Sequence, residues 1–153
     1  MSAPPPLEIR DADEADLPEI LAMLVDDMLG AARDSGGVDP AYVEALRAIQ
    51  AEPNSRQLVA IEDGHVVGCF QLSFLPGLGR HGSWRAQIES VRVARMRRSA
   101  GIGALMMRWA IEQARQRGCA LVQLTTDKRR ADAHRFYRRL GFEASHEGMK
   151  LML

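Results

Sequence analysis

Two glycines at the mouth of an apolar helical repeat are the most chemically pointed feature of this chain. Val91-Arg92-Val93 reads as the end of a strand, and Arg98-Ser99-Ala100-Gly101-Ile102-Gly103-Ala104 follows as a turn that opens a helix. The first backbone N–H groups of a helix have no partners within it and stand at the positive end of its dipole. Such a turn can therefore hold a phosphate or pyrophosphate by main chain alone, and glycine keeps side chains out of the anion's way. A plain glycine turn with no ligand is the other reading of the same residues. The G-x-x-x-x-G-K-[ST] of a P-loop is absent, and Met106 stands where a dinucleotide-binding turn would need its third glycine, which argues against nucleoside triphosphates and NAD.

Two further side chains have types suited to proton transfer. Glu89, in Gln87-Ile88-Glu89-Ser90-Val91-Arg92-Val93, falls by strict alternation on the same strand face as Val91 and Val93. A carboxylate there is costly unless paired or used, and burial would raise its pKa toward that of a useful base. An ion pair with Arg85 or another nearby arginine is the structural alternative. Tyr137 offers a phenolic proton, yet it shares a helical face with Ala133, Phe136 and Leu140, where a tyrosine is ordinarily core. The histidines His65, His81, His134 and His146 are scattered without metal-ligand spacing, so no metal is assigned. Cys69 and Cys119 sit in apolar runs and read as free thiols.

The elements that must position these groups follow from periodicity and turn chemistry. Leu7-Glu8-Ile9-Arg10 is a short strand. Asp16 and Glu19 read as a capping box opening a helix with the stripe Leu17, Leu21, Leu24 and Met28. Asp39-Pro40 opens a second helix with Val43, Leu46 and Ile49 on its buried side, ended by Pro53-Asn54. Asp63-Gly64 joins two apolar runs as a tight hairpin. A strand from about Trp84 to Val93 precedes the glycine turn, a helix spans roughly Gly103 to Arg117 with Gly118 as terminator, and Leu121 to Thr125 is the next strand. A short helix around Tyr137 stops at Gly141, and Phe142 onward with Met149 to Leu153 forms a closing pair of strands. The order is mixed α/β without an internal repeat, so the 153 residues are expected to make one domain behind a flexible tail at residues 1–6.

The net charge of zero conceals a division. Residues 1–78 hold 14 acidic and 4 basic residues, whereas residues 79–139 hold 4 acidic and 15 basic. A basic half suits a polyanionic partner, either a nucleic acid or a phosphorylated cofactor, although an acidic half packing beside a basic half would give the same count. Aromatic residues make up only 5% of the chain, which counts against a nucleic-acid surface of interleaved arginines and rings. With no apolar stretch long enough to cross a bilayer and no secretory pattern at Met1 to Pro6, a cytoplasmic setting is expected.

The run Arg98-Ser99-Ala100-Gly101-Ile102-Gly103 resembles the acetyl-CoA signature R/Q-x-x-G-x-G/A of the GNAT superfamily of N-acetyltransferases. The run Ala133-His134-Arg135-Phe136-Tyr137-Arg138-Arg139-Leu140-Gly141-Phe142 resembles that family's second signature. Ala94-Arg95 replaces the frequent x-Pro after the valine, and Ser99 stands where many members carry glycine. The resemblance implies a mixed, mostly antiparallel central sheet of six to seven strands flanked by about four helices, splayed at the fourth and fifth strands. It implies acetyl-CoA as co-substrate, with its pantetheine arm against Val91 and Val93 and its pyrophosphate on Arg98, Ser99, Ala100, Gly101, Ile102, Gly103 and Ala104. It further implies Tyr137 as the acid that protonates the departing sulfur and the Val91 N–H as the oxyanion donor. Glu89 is the candidate base, directly or through a water. The segment Thr125 to Tyr137 with Ser145-His146 looks most like bacterial aminoalkylphosphonate N-acetyltransferases, which points to a small primary amine as acceptor. Arg80, His81 and Arg85 are candidate holders of an anionic group on it, and a homodimer is a possible assembly. A peptide acetyltransferase and a non-catalytic acetyl-CoA sensor are the alternatives.

Overall fold

The computed structural model describes residues 6–26 and 37–153, which fall into two compact units that meet between Gln123 and Leu124. The expected flexible tail, apart from Pro6, and the end of the first helical stripe at Met28 lie outside the described residues.

The first unit is built on a sheet in the order β1-β2-β3-β4-β5. Its strands are β1 (Glu8–Asp11), β2 (Ser55–Glu62), β3 (His65–Leu75), β4 (Arg85–Val93) and β5 (Leu121–Leu124). The first four pair antiparallel. The Asp63-Gly64 hairpin forms as expected, with φ of 50° and 78° at its two central residues. Between β4 and β5, the Ala120 N–H donates to the Trp84 carbonyl at 2.8 Å and the Gln123 amide donates to Gln87 at 2.9 Å. Both contacts keep the same sequence offset, so the two strands run parallel.

Helices cover the sheet on both sides. α1 (Leu17–Val25) and α2 (Pro40–Ala51) place Leu17, Ile20, Leu21 and Leu46 in a buried cluster with Val59 and Cys69. Between β3 and β4 the turn α3 (Gly79–Gly82) is wound the wrong way for L-residues. Arg80, His81 and Gly82 have φ of 52°, 59° and 72°. On the other side of the sheet, α4 (Ile102–Gln116) sets Trp109 edge-on to Phe70 at 6.1 Å and packs Met106 against Gly68. A Cβ built at Gly68 would lie 2.6 Å from the Met106 sulfur and 3.2 Å from the Arg92 carbonyl, so glycine here is what lets α4 approach β3.

Asp16 stands at the N-cap position of α1 as expected, but its side chain does not cap that helix. It reaches back to the Asp13 N–H at 2.9 Å while Asp13 accepts from the Ala15 N–H, which completes a capping box around a preceding turn at Glu14–Asp16. Asp16 is held in this position by Arg10, which grips it with two hydrogen bonds of 2.7 and 3.0 Å. Glu19, expected to close the box, instead accepts from the Val66 N–H at 3.1 Å. Asp39 caps α2 as expected, accepting from the Ala41 N–H at 2.9 Å ahead of Pro40.

The second unit carries α5 (Ala131–Arg139) and no strand beyond Leu124, so the expected closing pair after Phe142 is not formed. The sheet has five strands among the described residues rather than six to seven. Residues 149–153 carry Met149, Leu151, Met152 and Leu153, all strongly exposed. Sheltering each of these side chains from water would contribute roughly 1.5–3 kcal/mol.

The Arg10–Asp16 pair joins β1 to the entrance of α1 and should be visible in stability. The hydrogen bonds from the Arg10 guanidinium hold the Asp16 carboxyl below the usual carboxylate range. A depressed pKa adds stability that is present above the unfolded-state value of about 3.9 and disappears as pH falls through the folded-state value. Asp16→Asn is expected to lower stability by about 1–2 kcal/mol at neutral pH. Thermal unfolding from pH 7 down to pH 2 should show parent and variant converging at the acid end; a constant gap would mean that the lost packing, not the charge, carries the effect.

Candidate active site

β4 is broken near its end. Its register with β3 advances from Gln71↔Glu89 to Cys69↔Arg92, so Ser90 and Val91 together stand opposite Phe70. Ser90 has φ of 53°, the left-handed conformation of a bulged residue. The extra residue also changes which side chains share a face. Through their partners, Glu89 and Arg92 lie on the Cys69 face under α1 and α2, whereas Ile88 and Val93 lie on the Gly68 face under α4. The expectation that Glu89 and Val93 share a face is therefore wrong, because alternation was counted through a bulge. Glu89 is also exposed rather than buried, and it takes part in no ion pair with the described arginines, Arg85 included.

β5 ends where this break begins. With the offset set by Trp84 and Gln87, Leu124 comes level with Ile88, so the outer side of β4 from Glu89 to Val93 has no strand beside it. The opening expected between the fourth and fifth strands is thus present as an early stop of β5. Its main-chain groups are partly engaged: the Val91 carbonyl accepts from Arg92 Nη1 at 2.8 Å, and the Val93 carbonyl accepts from Arg98 Nε at 3.3 Å.

The glycine turn comes directly after. Beyond a short turn at Arg95–Arg97, Ser99 and Gly101 take φ of 67° and 82°, and Ile102 begins α4 with no side-chain cap on its free N–H groups. Ile102 is buried and anchors the helix, while Arg98, Ser99, Ala100 and Gly101 are exposed, and Gly103 and Ala104 are half-buried. A Cβ at Gly101 would meet nothing within 4 Å, so that glycine is required by its backbone conformation and not by crowding inside the protein.

Sequence reasoning missed the place of Asp26 beside this turn. Its carboxylate pairs with Arg95 at 2.5 Å and Arg98 at 3.4 Å, and its carbonyl accepts from Arg98 at 3.0 Å. Arg97 similarly pairs with Glu62 at 2.6 Å. The acidic half of the sequence thus supplies counter-charges to the basic turn, and Arg98 acts there as a brace between the turn, the end of β4 and the end of α1. No local pattern marks this, since the partners are about 70 residues apart in sequence.

Arg80, His81 and Arg85 are not brought to this end. Arg85 opens β4 and Val91 lies near its close, a run of about 20 Å at ~3.3 Å per residue. Arg80 and Arg85 line a separate recess of about 140 Å³ with Trp84 and Leu121, to which His81 does not contribute. In the second unit, Tyr137 is half-buried, with its ring edge-on to Phe136 at 5.0 Å and to Phe142 at 5.8 Å. His134 is half-buried and bonds the Asp127 carbonyl through Nε2 at 3.1 Å.

A sheet opened at a bulge, with an uncapped glycine-led helix at the opening, leaves main-chain N–H groups free for an anionic ligand. The sequence pattern of the acetyltransferase (GNAT) family matches residues 19–142. The chain belongs to that family of acetyl-CoA-dependent N-acetyltransferases. It is 37% identical over 106 residues to the aminoalkylphosphonate N-acetyltransferase of Salmonella typhimurium, covering 69% of this chain and 68% of that protein. Over 94 residues it is 35% identical to the streptothricin acetyltransferase of Streptomyces lavendulae, covering 60% of this chain and 46% of that protein. The crystal structure of a transcriptional regulator from Bacillus halodurans C-125 superposes with a TM-score of 0.93 at 46% identity, over 96% of this chain and 99% of that one.

Ser99 is a residue with a side chain in a left-handed conformation, which costs roughly 1–2 kcal/mol relative to glycine. Ser99→Gly is expected to raise the midpoint of chemical unfolding by the equivalent of about 1 kcal/mol, allowing for the greater freedom of glycine in the unfolded chain. An unchanged or lowered midpoint would show that the serine side chain compensates its backbone strain.

Proposed function

We propose that this protein transfers the acetyl group of acetyl-CoA to the primary amine of a small molecule by direct attack in a ternary complex. The observation that carries the reading is the coincidence, at one end of β4, of the Ser90 bulge, the early stop of β5 and the uncapped start of α4. In this reading the pyrophosphate lies on the N–H groups from Ser99 to Ala104, with Arg98 bracing the turn and the pantetheine arm running along Val91 and Val93. The acceptor approaches from the α1 and α2 side, on which the bulge presents Glu89.

Amide formation needs a neutral amine, whereas an alkylammonium keeps its proton up to a pH of about 10.4. Glu89, directly or through a water, takes that proton. The amine nitrogen attacks the thioester carbonyl and the Val91 N–H supports the oxyanion; collapse expels the thiolate, which takes the proton of Tyr137, while the nitrogen gives up its remaining extra proton to solvent, from which the Tyr137 phenolate is reprotonated. The relatives named for aminoalkylphosphonates and for streptothricin support a small amine as acceptor. Together with acetyl-CoA and that amine, the partners of this reading are a second copy of the chain, with neither nucleic acid nor membrane. The setting is the cytoplasm, with the chain working as one acetyltransferase domain. A non-catalytic acetyl-CoA sensor is a second reading, favoured by the description of the Bacillus halodurans relative as a transcriptional regulator.

Thiol release from acetyl-CoA should be measured against aminoalkylphosphonates, amino acids, polyamines, amino sugars, aminoglycosides and lysine peptides. Turnover is expected with one of the small amines. Turnover confined to peptides would overturn the small-molecule reading, and silence across the panel with tight acetyl-CoA binding would favour the sensor.

Acetyl-CoA at a hundredfold excess over its Kd should stabilise the parent by ~2.7 kcal/mol. Gly101→Val is expected to abolish that thermal shift, and a shift of parental size would place the phosphates elsewhere.

With the best acceptor, Tyr137→Phe keeps the ring packing on Phe136 and Phe142 and should slow turnover by ~10²-fold while leaving acetyl-CoA binding intact. Glu89→Gln should slow the reaction at neutral pH and recover part of the rate at high pH, where the amine deprotonates unaided. A defect in Glu89→Gln that is the same at every pH would remove the base role.

A further inference from the structure

We propose that the acceptor is an elongated amine. Its nitrogen lies at Glu89, its body carries amide or hydroxyl groups, and its far end carries a carboxylate or phosphate held by Arg85. This inference rests on the acetyl transfer proposed above and names the substrate class for it. The sheet register places both residues on one face of the first unit. Val59, Cys69 and Arg92 make a row across β2, β3 and β4. Next come Gln57, Gln71 and Glu89, then Ser55, Ser73 and Gln87, and finally Leu75 with Arg85. The apolar cluster under α1 and α2 takes Val59 and Cys69 from the first of these rows and nothing from the others.

The middle rows are neutral and polar, with a charge only at Glu89. A sheet face made for packing would be apolar there, and a merely solvated one would mix charges of both signs. Some of the polar groups satisfy one another. The Gln57 amide donates to the Phe70 carbonyl at 3.1 Å, the Ser55 and Ser73 hydroxyls share a bond of 3.0 Å, and the Gln123 amide donates to Gln87 at 2.9 Å. That last bond leaves the Gln87 N–H groups and the Gln123 carbonyl side by side across β4 and β5, a donor and an acceptor suited to an amide or a hydroxyl. Within the first unit no side chain bonds Gln71, Glu89 or Arg85. An apolar ligand body would desolvate these groups without pairing them, whereas a neutral polar one pairs them.

Arg85 closes the face at its far end. Its row partner is Leu75, and its guanidinium leans further out, with Nη1 3.4 Å from the place of a Cβ on Gly77. It lines the recess of about 140 Å³ with Arg80, Trp84 and Leu121, and among the described residues no acid pairs with it. A ligand oxyanion is the partner its planar fork is shaped to take. Four residues of strand separate it from Glu89, a run of ~13 Å. A two-carbon aminoalkylphosphonate, of the class named for the Salmonella typhimurium relative, spans only ~4 Å from nitrogen to phosphorus and cannot reach both ends.

β-Alanine and its linear dimer and trimer place a carboxylate ~4, ~8 and ~13 Å from the amine. Their binding to the full chain saturated with CoA is measured by calorimetry, and their turnover with acetyl-CoA in parallel. Affinity should rise by about tenfold or more from β-alanine to the trimer, and the terminal amide of the trimer should show no such gain. Arg85→Gln should remove the rise with length, and Arg85→Lys should restore part of it. 7-Aminoheptanoate matches the dimer in length but has an apolar body. It should bind more weakly than the dimer, and Gln87→Leu with Gln123→Leu should close that gap. A preference for β-alanine, binding by none of the three, or a length gain that survives in Arg85→Gln would overturn the proposal. Binding that follows the length series without any turnover would support this face and count against acetyl transfer.

Discussion

β4 can serve as both a core strand and an open edge because one residue too many stands in it. Up to Ile88 it is an ordinary member of the sheet, with Ala86 and Ile88 fully buried and with Trp84 and Gln87 tied to β5. From Ser90 onward the same strand has a shifted register on its β3 side and no strand on its outer side. The bulge turns the remaining residues, so that Arg92 goes to the α1 and α2 face while Val93 faces α4. Everything proposed for catalysis hangs on that change of direction: the side on which Glu89 stands, the main-chain groups that line the opening, and the angle at which the chain enters the glycine turn.

The turn itself is held by charge as much as by backbone. An uncapped helix start surrounded by Arg95, Arg97 and Arg98 would repel itself if no acid were near, and Asp26 and Glu62 supply the counter-charge from elements far away in sequence. These pairs are substantially exposed, so each contributes little to stability, about 0–1 kcal/mol. Their larger effect is geometric. Arg98 spans the Val93 carbonyl and the Asp26 carbonyl, which fixes the end of β4, the turn and the end of α1 with respect to one another. The division of charge along the sequence therefore gives internal neutralisation at the turn, and it leaves a basic surround suited to the phosphorylated ligand proposed for it.

Features set by one or two residues of strong local preference were legible in the sequence. Asp63-Gly64 has few alternatives to a tight hairpin, Asp39-Pro40 few alternatives to a helix start, and Gly101, Gly118 and Gly141 each stand where φ is positive. Features set by competition between distant groups were not. Asp16 stands where a cap belongs, but its carboxylate is taken by Arg10 and the Asp13 N–H instead of the first turn of α1, and Glu89 reads as a neighbour of Val93 until the bulge is counted. Serine gives no warning of a left-handed residue, so Ser90 was invisible. Gly68 looked like any glycine in a strand, and only the approach of Met106 explains it.

Three left-handed residues lie within twelve positions, Ser90, Ser99 and Gly101, and two of them carry side chains. Backbone strain of this kind persists only where surrounding contacts over-determine it, and it collects where main-chain groups must point in an unusual direction. Here the contacts are identifiable. β3 pairs on both sides of Ser90, while Arg98 braces the chain just before Ser99, and buried Ile102 anchors it just after Gly101. A segment clamped at those three places cannot relax toward the ordinary regions without dragging β4 or α4 with it. Its N–H groups are consequently oriented before any ligand arrives, and that prior orientation is what a site working through main-chain hydrogen bonds must supply, because backbone amides have no rotamers with which to adjust afterwards.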